Sequence, residues 1–273
     1  MTEVAGPLVL IGCGKMGGAL LRGWLRRGLA GTDAFVVEPD AGIREQIGAR
    51  HGVHVLAAAA ALPADLQPRA LVFAVKPQAI AAVLPAYCRV VARGGVVLSI
   101  AAGTAVARFE AAFGERTPIV RAMPNTPAAI GQGVTALFAN ARVGAAERHL
   151  CSNLMAAVGA VRWIEDEEQL HAITAMSGGG PAYVFRLIET LARAGVAAGL
   201  PKEVAWPLAR TTVAGSAALA ASSEEAVEVL RQNVTSPGGT TQAALAVLMA
   251  ADGIQPLFDR AIKAGAQRSR ELA

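Results

Sequence analysis

Near the start of the chain, Gly12, Gly14 and Gly17 stand in the spacing Gly-x-Gly-x-x-Gly, within Gly12-Cys13-Gly14-Lys15-Met16-Gly17. Glycines so spaced suit a pyrophosphate. The first turns the chain tightly, the second lets the backbone approach a phosphate, and the third lets a helix pack on a strand. The helix that follows offers N–H groups and the positive end of its dipole. About 20 residues further on, Glu38 is placed to accept hydrogen bonds from the hydroxyls of an adenine ribose. The same carboxylate repels a ribose 2′-phosphate, since unit charges about 4 Å apart cost about 4 kcal/mol at an effective dielectric of about 20. That favours NADH over NADPH. Pro39 and the nearby Arg44, a potential phosphate partner, argue the other way, and a solvent-facing strand end is the plain alternative. NAD and NADP therefore both stand as candidate cofactors.

Two later loops have residue types suited to a carboxylate. Ser177-Gly178-Gly179-Gly180-Pro181 and Asn233-Val234-Thr235-Ser236-Pro237-Gly238-Gly239-Thr240-Thr241 each put glycines and hydroxyls before a helix. Free N–H groups at a helix start, with Ser and Thr hydroxyls beside them, bind anions. Simple N-capping is the alternative, although it needs one hydroxyl rather than so dense a set.

These groups must be held by regular elements. Leu8–Ile11 reads as a short buried strand running into the glycine turn and then an amphipathic helix. Further strands are expected at 34–38, 53–55, 70–75, 96–100 and 119–123, with 133–140 as an extra one. Helices are expected at 41–51, at 78–91 with a break at Pro85, from Thr104, and at about 144–158. Repeated β-α units of this length imply a doubly wound parallel sheet of the Rossmann type. Open sheets of this kind bind ligands at the C-terminal ends of their strands. There lie Ala74-Val75-Lys76-Pro77, Ala101 in the loop after Ser99, and Asn125 in Met123-Pro124-Asn125-Thr126-Pro127. Small residues in these loops suit a flat nicotinamide, Asn125 suits a ribose or carboxamide, and Lys76 suits cofactor charge.

Past Trp163 the pattern becomes helix after helix, with runs at 181–199 and 201–221, a third capped by Ser223, and two more after Pro237-Gly238-Gly239. The expected division is a dinucleotide-binding domain at 1–163 and an all-helical oligomerisation domain at 164–273. Ile188, Leu191, Ala192, Gly195, Val196 and Gly199 recur at helical spacing and favour packing on a second copy, with packing inside the chain as the alternative.

Composition narrows the classes. The chain has 273 residues, 53% of them hydrophobic, enough for a substantial core. No run approaches the roughly 20 apolar residues of a spanning helix, and the first residues lack the basic-then-apolar plan of a signal peptide. Cys13, Cys88 and Cys151 have neither metal nor redox spacing, so a cytoplasmic protein without a structural metal is expected. Net charge is only +4 and aromatics are 4%, which disfavours a nucleic-acid reader and suits small anionic ligands.

With those residues assembled, the sequence resembles the pyrroline-5-carboxylate reductase family over essentially the whole chain. The most specific part is the run Asn233 to Thr241. The resemblance implies reduction of the cyclic imine L-1-pyrroline-5-carboxylate to L-proline by NAD(P)H, and a homodimer of interleaved helical domains, often built into a larger ring. It further implies that Ser236 and the N–H groups of Gly239, Thr240 and Thr241 hold the substrate carboxylate, with Gly238 and Ser177 nearby, and that the Thr241 hydroxyl faces the ring nitrogen. Ser236 and Thr241 are then the catalytic pair. Two positions depart from the family pattern. Gly179 stands where a serine is common, and Glu38 stands where NADPH-preferring members carry a small hydroxylic or basic residue.

The chemistry fits a chain whose histidines (His51, His54, His149, His171) all lie outside the site loops. An imine nitrogen can arrive protonated from solvent, which leaves orientation as the protein's task. Two alternatives stay open. A β-hydroxyacid dehydrogenase needs a general acid/base, usually a lysine on the first helix of the second half, and 181–199 has none. A non-catalytic NAD(P) sensor needs no second anion site.

Overall fold

The computed structural model of the protein describes residues 4–273, apart from the side chains of 49–51. The His51 side chain and residues 1–3 therefore lie outside the described residues.

In chain order, Leu8–Ile11 (β1) leads to Lys15–Arg26 (α1), Ala34–Val37 (β2), Ala41–His51 (α2), His54–Leu56 (β3) and Ala70–Phe73 (β4). Ile80–Val83 (α3) and Cys88–Val91 (α4) are separated by a 3-10 turn at Leu84–Tyr87. This is the break expected from Pro85, whose ring excludes a continuous helix. Then come Val96–Ser99 (β5), Val106–Phe113 (α5), Ile119–Met123 (β6), Gly133–Ala139 (β7), Ala145–Ala156 (α6) and Gly159–Trp163 (β8).

The strands form one eight-stranded sheet in the order β3-β2-β1-β4-β5-β6-β7-β8. Order reverses between β1 and β4, the crevice where doubly wound sheets take ligands. Every pairing is parallel except β6 with β7, which is antiparallel, with Val120 opposite Ala139. The expectation of a parallel sheet is corrected at that one pairing. The short connection from Met123 to Gly133 cannot cross over the sheet, so the chain turns back beside its own strand. Strand β8 was not anticipated: it alternates half-buried and exposed residues at the sheet edge and opens with Gly159 at φ +149°. Central strands β1, β2, β4 and β5 are buried at every position, and the sheet separates two apolar layers. On one side Trp24 of α1 is sealed in and donates its indole N–H to the Leu154 carbonyl at 2.9 Å.

The remaining helices are Gln169–Ile173 (α7), a π-helical turn at Thr174–Gly178, Gly180–Ala197 (α8), Lys202–Ser222 (α9), Val227–Asn233 (α10), Thr240–Leu248 (α11) and Ile254–Glu271 (α12). Ser223 does not cap α10 as expected. It closes α9, its hydroxyl accepts the Glu225 N–H, and α10 starts only after Ala226.

The chain resolves into two compact units, one of residues 1–178 with 265–273 and the other of 179–264. The break falls at Gly178 rather than at the expected 163, because α7 and the π-turn belong with the sheet, as do the last nine residues. Within the second unit α8 packs along α9 through small side chains. Ala192, Ala205 and Ala209 are buried, and a Cβ added to Gly195 would sit 3.4 Å from Leu200. Part of the small-residue stripe therefore packs inside the chain, and the large apolar side chains of the same helices remain exposed.

Candidate active site

The glycine turn is built as its spacing requires. Gly12 has φ +84°, a conformation side chains rarely adopt, and a Cβ there would sit 2.9 Å from Val75. A Cβ on Gly17 would strike the Gly12 carbonyl oxygen and lie 3.3 Å from Ala74, so this glycine sets how closely α1 packs on the turn. Gly14 differs: nothing lies within 4 Å of the Cβ position, and it caps α1 with no side chain attached to the helix end. The first-turn N–H groups of α1, those of Lys15 and Met16 among them, thus have no side-chain cap, and the Cβ side of Gly14 is open. A pyrophosphate fits that opening. Beside it a cleft of about 440 Å³ runs past Cys13, Gly14, Lys15, Gly18 and Arg22 to Gln46 of α2.

At the end of β2, Glu38 is buried, 6% exposed. Its Oε2 accepts the Cys13 N–H at 2.7 Å and its Oε1 the Asp40 N–H at 3.0 Å. The carboxylate is thereby tied to the glycine turn, so the alternative of a plain solvent-facing strand end falls away. Arg44 donates through Nη1 to the carbonyls of Glu38, at 3.0 Å, and Pro39, at 2.6 Å, while Asp40 caps α2 by accepting the Ile43 N–H. Burial, with the Glu38 charge adding to it and Arg22 opposing it, pushes the Cys13 thiol up from 9.0 to about 11. It is a packed thiol, not a nucleophile.

The other strand-end loops converge on the same sheet edge. Ala74 and Val75 back the glycine turn, and exposed Lys76 precedes the 3-10 turn opened by Pro77. The Ser99 hydroxyl accepts the N–H of buried Ala101 at 3.2 Å, a brace that sequence reading missed. Asn125 is committed mainly to the protein. Its Oδ1 accepts the Val134 N–H at 2.9 Å and its Nδ2 donates to the Ser177 carbonyl at 3.2 Å, which leaves one N–H and one lone pair for a ligand. It braces the loop first.

A second feature missed in the sequence is Arg121, 4% exposed inside β6, paired with Glu167 at 2.8 Å. The same Glu167 oxygen accepts the Val106 N–H at the start of α5. A cation inside an otherwise apolar strand was the available signal. The three described histidines have protein partners: His54 stacks on Phe35, His149 meets Asn153, and His171 meets Ser269.

In the second unit, α11 begins at Thr240 after Gly239, again with no side-chain cap. Gly238 takes φ +71° and gives its N–H to Gln242 Oε1 at 2.6 Å, while the Gly239 N–H closes onto the Ser236 carbonyl at 3.0 Å. Their N–H groups shape the turn, and those of Thr240 and Thr241 are among the donors at the uncapped helix start. The hydroxyls of Ser236, Thr240 and Thr241 lie on exposed residues, whereas that of Thr235 is taken by the Arg231 carbonyl at 2.7 Å. Ser177, in the first unit, turns its hydroxyl onto the Ile173 carbonyl.

A parallel-dominated sheet, a glycine turn opening onto an uncapped helix and an acidic residue at the end of the second strand define an NAD(P)-binding oxidoreductase. Residues 7–103 match the family described as NADP oxidoreductase, coenzyme F420-dependent, and residues 167–272 match pyrroline-5-carboxylate reductase dimerisation. The chain is 40% identical to pyrroline-5-carboxylate reductase of Pseudomonas aeruginosa, over 97% of this chain and 96% of that one. Among solved structures it is similar to a Coxiella burnetii pyrroline-5-carboxylate reductase (TM-score 0.91, 35% identity, 98% of both chains covered). It is also similar to the Plasmodium falciparum enzyme with NADP bound (TM-score 0.80, 27% identity, 97% of both chains covered). The chain belongs to the pyrroline-5-carboxylate reductase family, and its function is that of a pyrroline-5-carboxylate reductase using NAD(P). Among the described residues no helix is long and apolar enough to cross a membrane.

Proposed function

We propose that the chain reduces the C=N bond of L-1-pyrroline-5-carboxylate to give L-proline, with the residues of two loops in named roles. The observation that carries this reading is the open start of α11, where two N–H donors stand beside exposed hydroxyls with no side-chain cap. The Thr240 and Thr241 N–H groups and the Ser236 hydroxyl clamp the substrate carboxylate. The Thr241 hydroxyl orients the ring nitrogen and passes it a proton when the imine arrives unprotonated. Gly12, Gly14 and Gly17 receive the pyrophosphate on the N-terminus of α1, and Ala101, Val75 and the loop braced by Asn125 flank the nicotinamide. NAD(P)H, when bound, supplies the hydride that becomes the new C–H bond. The absence of lysine from Gly180–Ala197 weighs against alcohol chemistry of the β-hydroxyacid dehydrogenase kind.

The division of labour follows the two units, dinucleotide in the first and substrate carboxylate in the second. The chain works as a homodimer built through the helical unit. Phe185 (62% exposed), Leu208 (54%) and Val247 (71%) leave more apolar surface there than a monomer keeps in water. A cytosolic location accords with the free thiols Cys13, Cys88 and Cys151. The test is oxidation of NADH or NADPH on adding pyrroline-5-carboxylate, with proline identified as product. Tight cofactor binding without turnover would leave the sensor reading instead.

A further inference from the structure

We propose that Glu38 makes this protein selective for NADH and that Arg44 does not read a 2′-phosphate. The inference rests on the dinucleotide-binding reading of the first unit and is independent of the substrate. Three observations carry it. The carboxylate is aimed, because Cys13 N–H holds one oxygen at 2.7 Å and Asp40 N–H the other at 3.0 Å. Cys13 lies between the glycines that shape the turn, so the carboxylate is locked beside the place where the cofactor's phosphates and adenine ribose must lie. A carboxylate has about four lone-pair positions, and the two backbone donors leave room for the two ribose hydroxyls.

The carboxylate also has no paired cation. Among the described residues no lysine or arginine forms an ion pair with Glu38. Arg44, the cation best placed in sequence, turns its Nη1 onto the carbonyls of Glu38 and Pro39. It fastens the loop that carries the carboxylate. A 2′-phosphate drawn to that guanidinium would have to pass the fixed negative charge at the ribose hydroxyls, where like charges repel.

The test is calorimetric titration of the whole protein, without substrate, with NADH and NADPH separately. NADH should bind tighter by about tenfold or more. Glu38→Gln, which keeps an oxygen acceptor and removes the charge, should narrow that ratio by about tenfold, chiefly through tighter NADPH. Arg44→Ala should leave the ratio within about twofold. ADP-ribose and its 2′-phosphate, competing for the wild-type protein, give the same comparison without any variant: ADP-ribose should be the stronger competitor. Equal or tighter binding of NADPH by the wild type would overturn the proposal, as would selective loss of NADPH binding in Arg44→Ala. Because these readouts omit pyrroline-5-carboxylate, a failure of turnover would fall on the substrate assignment alone.

Discussion

Arg121 in β6 donates to Glu167 at 2.8 Å, and the oxygen that receives it also takes the Val106 N–H at 2.9 Å. One carboxylate oxygen thus joins a central strand to the start of α5, immediately after the loop that includes Ala101. Arg121 is buried while Glu167 is 26% exposed, so removing the carboxylate leaves a buried charge without its partner. Glu167→Ala should therefore cost about 1–3 kcal/mol of stability, measured by denaturant unfolding. Glu167→Gln, which keeps an acceptor for Val106, should cost less.

The glycine turn separates packing from binding. Gly14→Ala adds a methyl where nothing lies within 4 Å at a φ of −64°. The variant should melt within a degree or two of the wild type, yet lose cofactor affinity about tenfold or more, since the methyl occupies the phosphate approach. Gly17→Ala should lower stability itself, by about 1–3 kcal/mol, because its methyl meets the Gly12 carbonyl. Thermal unfolding alongside cofactor titration distinguishes the two.

How far the sequence foretold this site depends on the range over which each residue acts. The three glycines were readable because their spacing is itself the signal, although Gly12 and Gly17 also press on Val75 and Ala74 far along the chain. Glu38 was readable from its distance to Gly17, but its grip on Cys13 was not, since that bond joins positions 25 apart. Asn125 was read as a ligand contact because its partners Val134 and Ser177 lie 9 and 52 residues away. The direction of β7 and the existence of β8 escaped for a related reason: both depend on which edge the returning chain finds.

Cys13 yields a pH prediction. Its folded pKa of about 11 lies above the ordinary 9.0, so the unfolded chain releases this proton first as pH rises. Its contribution to stability is whole below pH 9 and is lost between about 9 and 11, so stability falls through that window. Alkylation of the folded protein near pH 8 should mark exposed Cys88 and leave Cys13 and Cys151, both buried, intact.

The carboxylate clamp separates binding from turnover. Ser236→Ala should raise KM for the imine acid by roughly tenfold to a hundredfold with little change in kcat, the span of about 1.5–3 kcal/mol for a hydrogen bond to a charge. Thr241→Val should lower kcat by about tenfold or more. Equal loss of both parameters in both variants would assign the two hydroxyls one shared structural role.

Two charged substitutions on the helical unit test the assembly. Phe185→Asp with Leu208→Asp should halve the particle mass measured by light scattering, because both positions lie on exposed apolar faces. An unchanged mass would place the contact elsewhere.

The last nine residues belong with the sheet: Ser269 meets the His171 ring at 2.9 Å, and the Leu272 carbonyl oxygen lies 3.3 Å from a Cβ position on Gly103. During synthesis, then, the first unit is completed out of order, its eight strands first and its last nine residues at the end. Its strands emerge early, but the wall behind the Gly103 loop arrives only after the whole helical segment has left the ribosome. A fusion that restrains residues 265–273 would leave the strands paired and remove only the contacts of Leu272 with Gly103 and of Ser269 with His171.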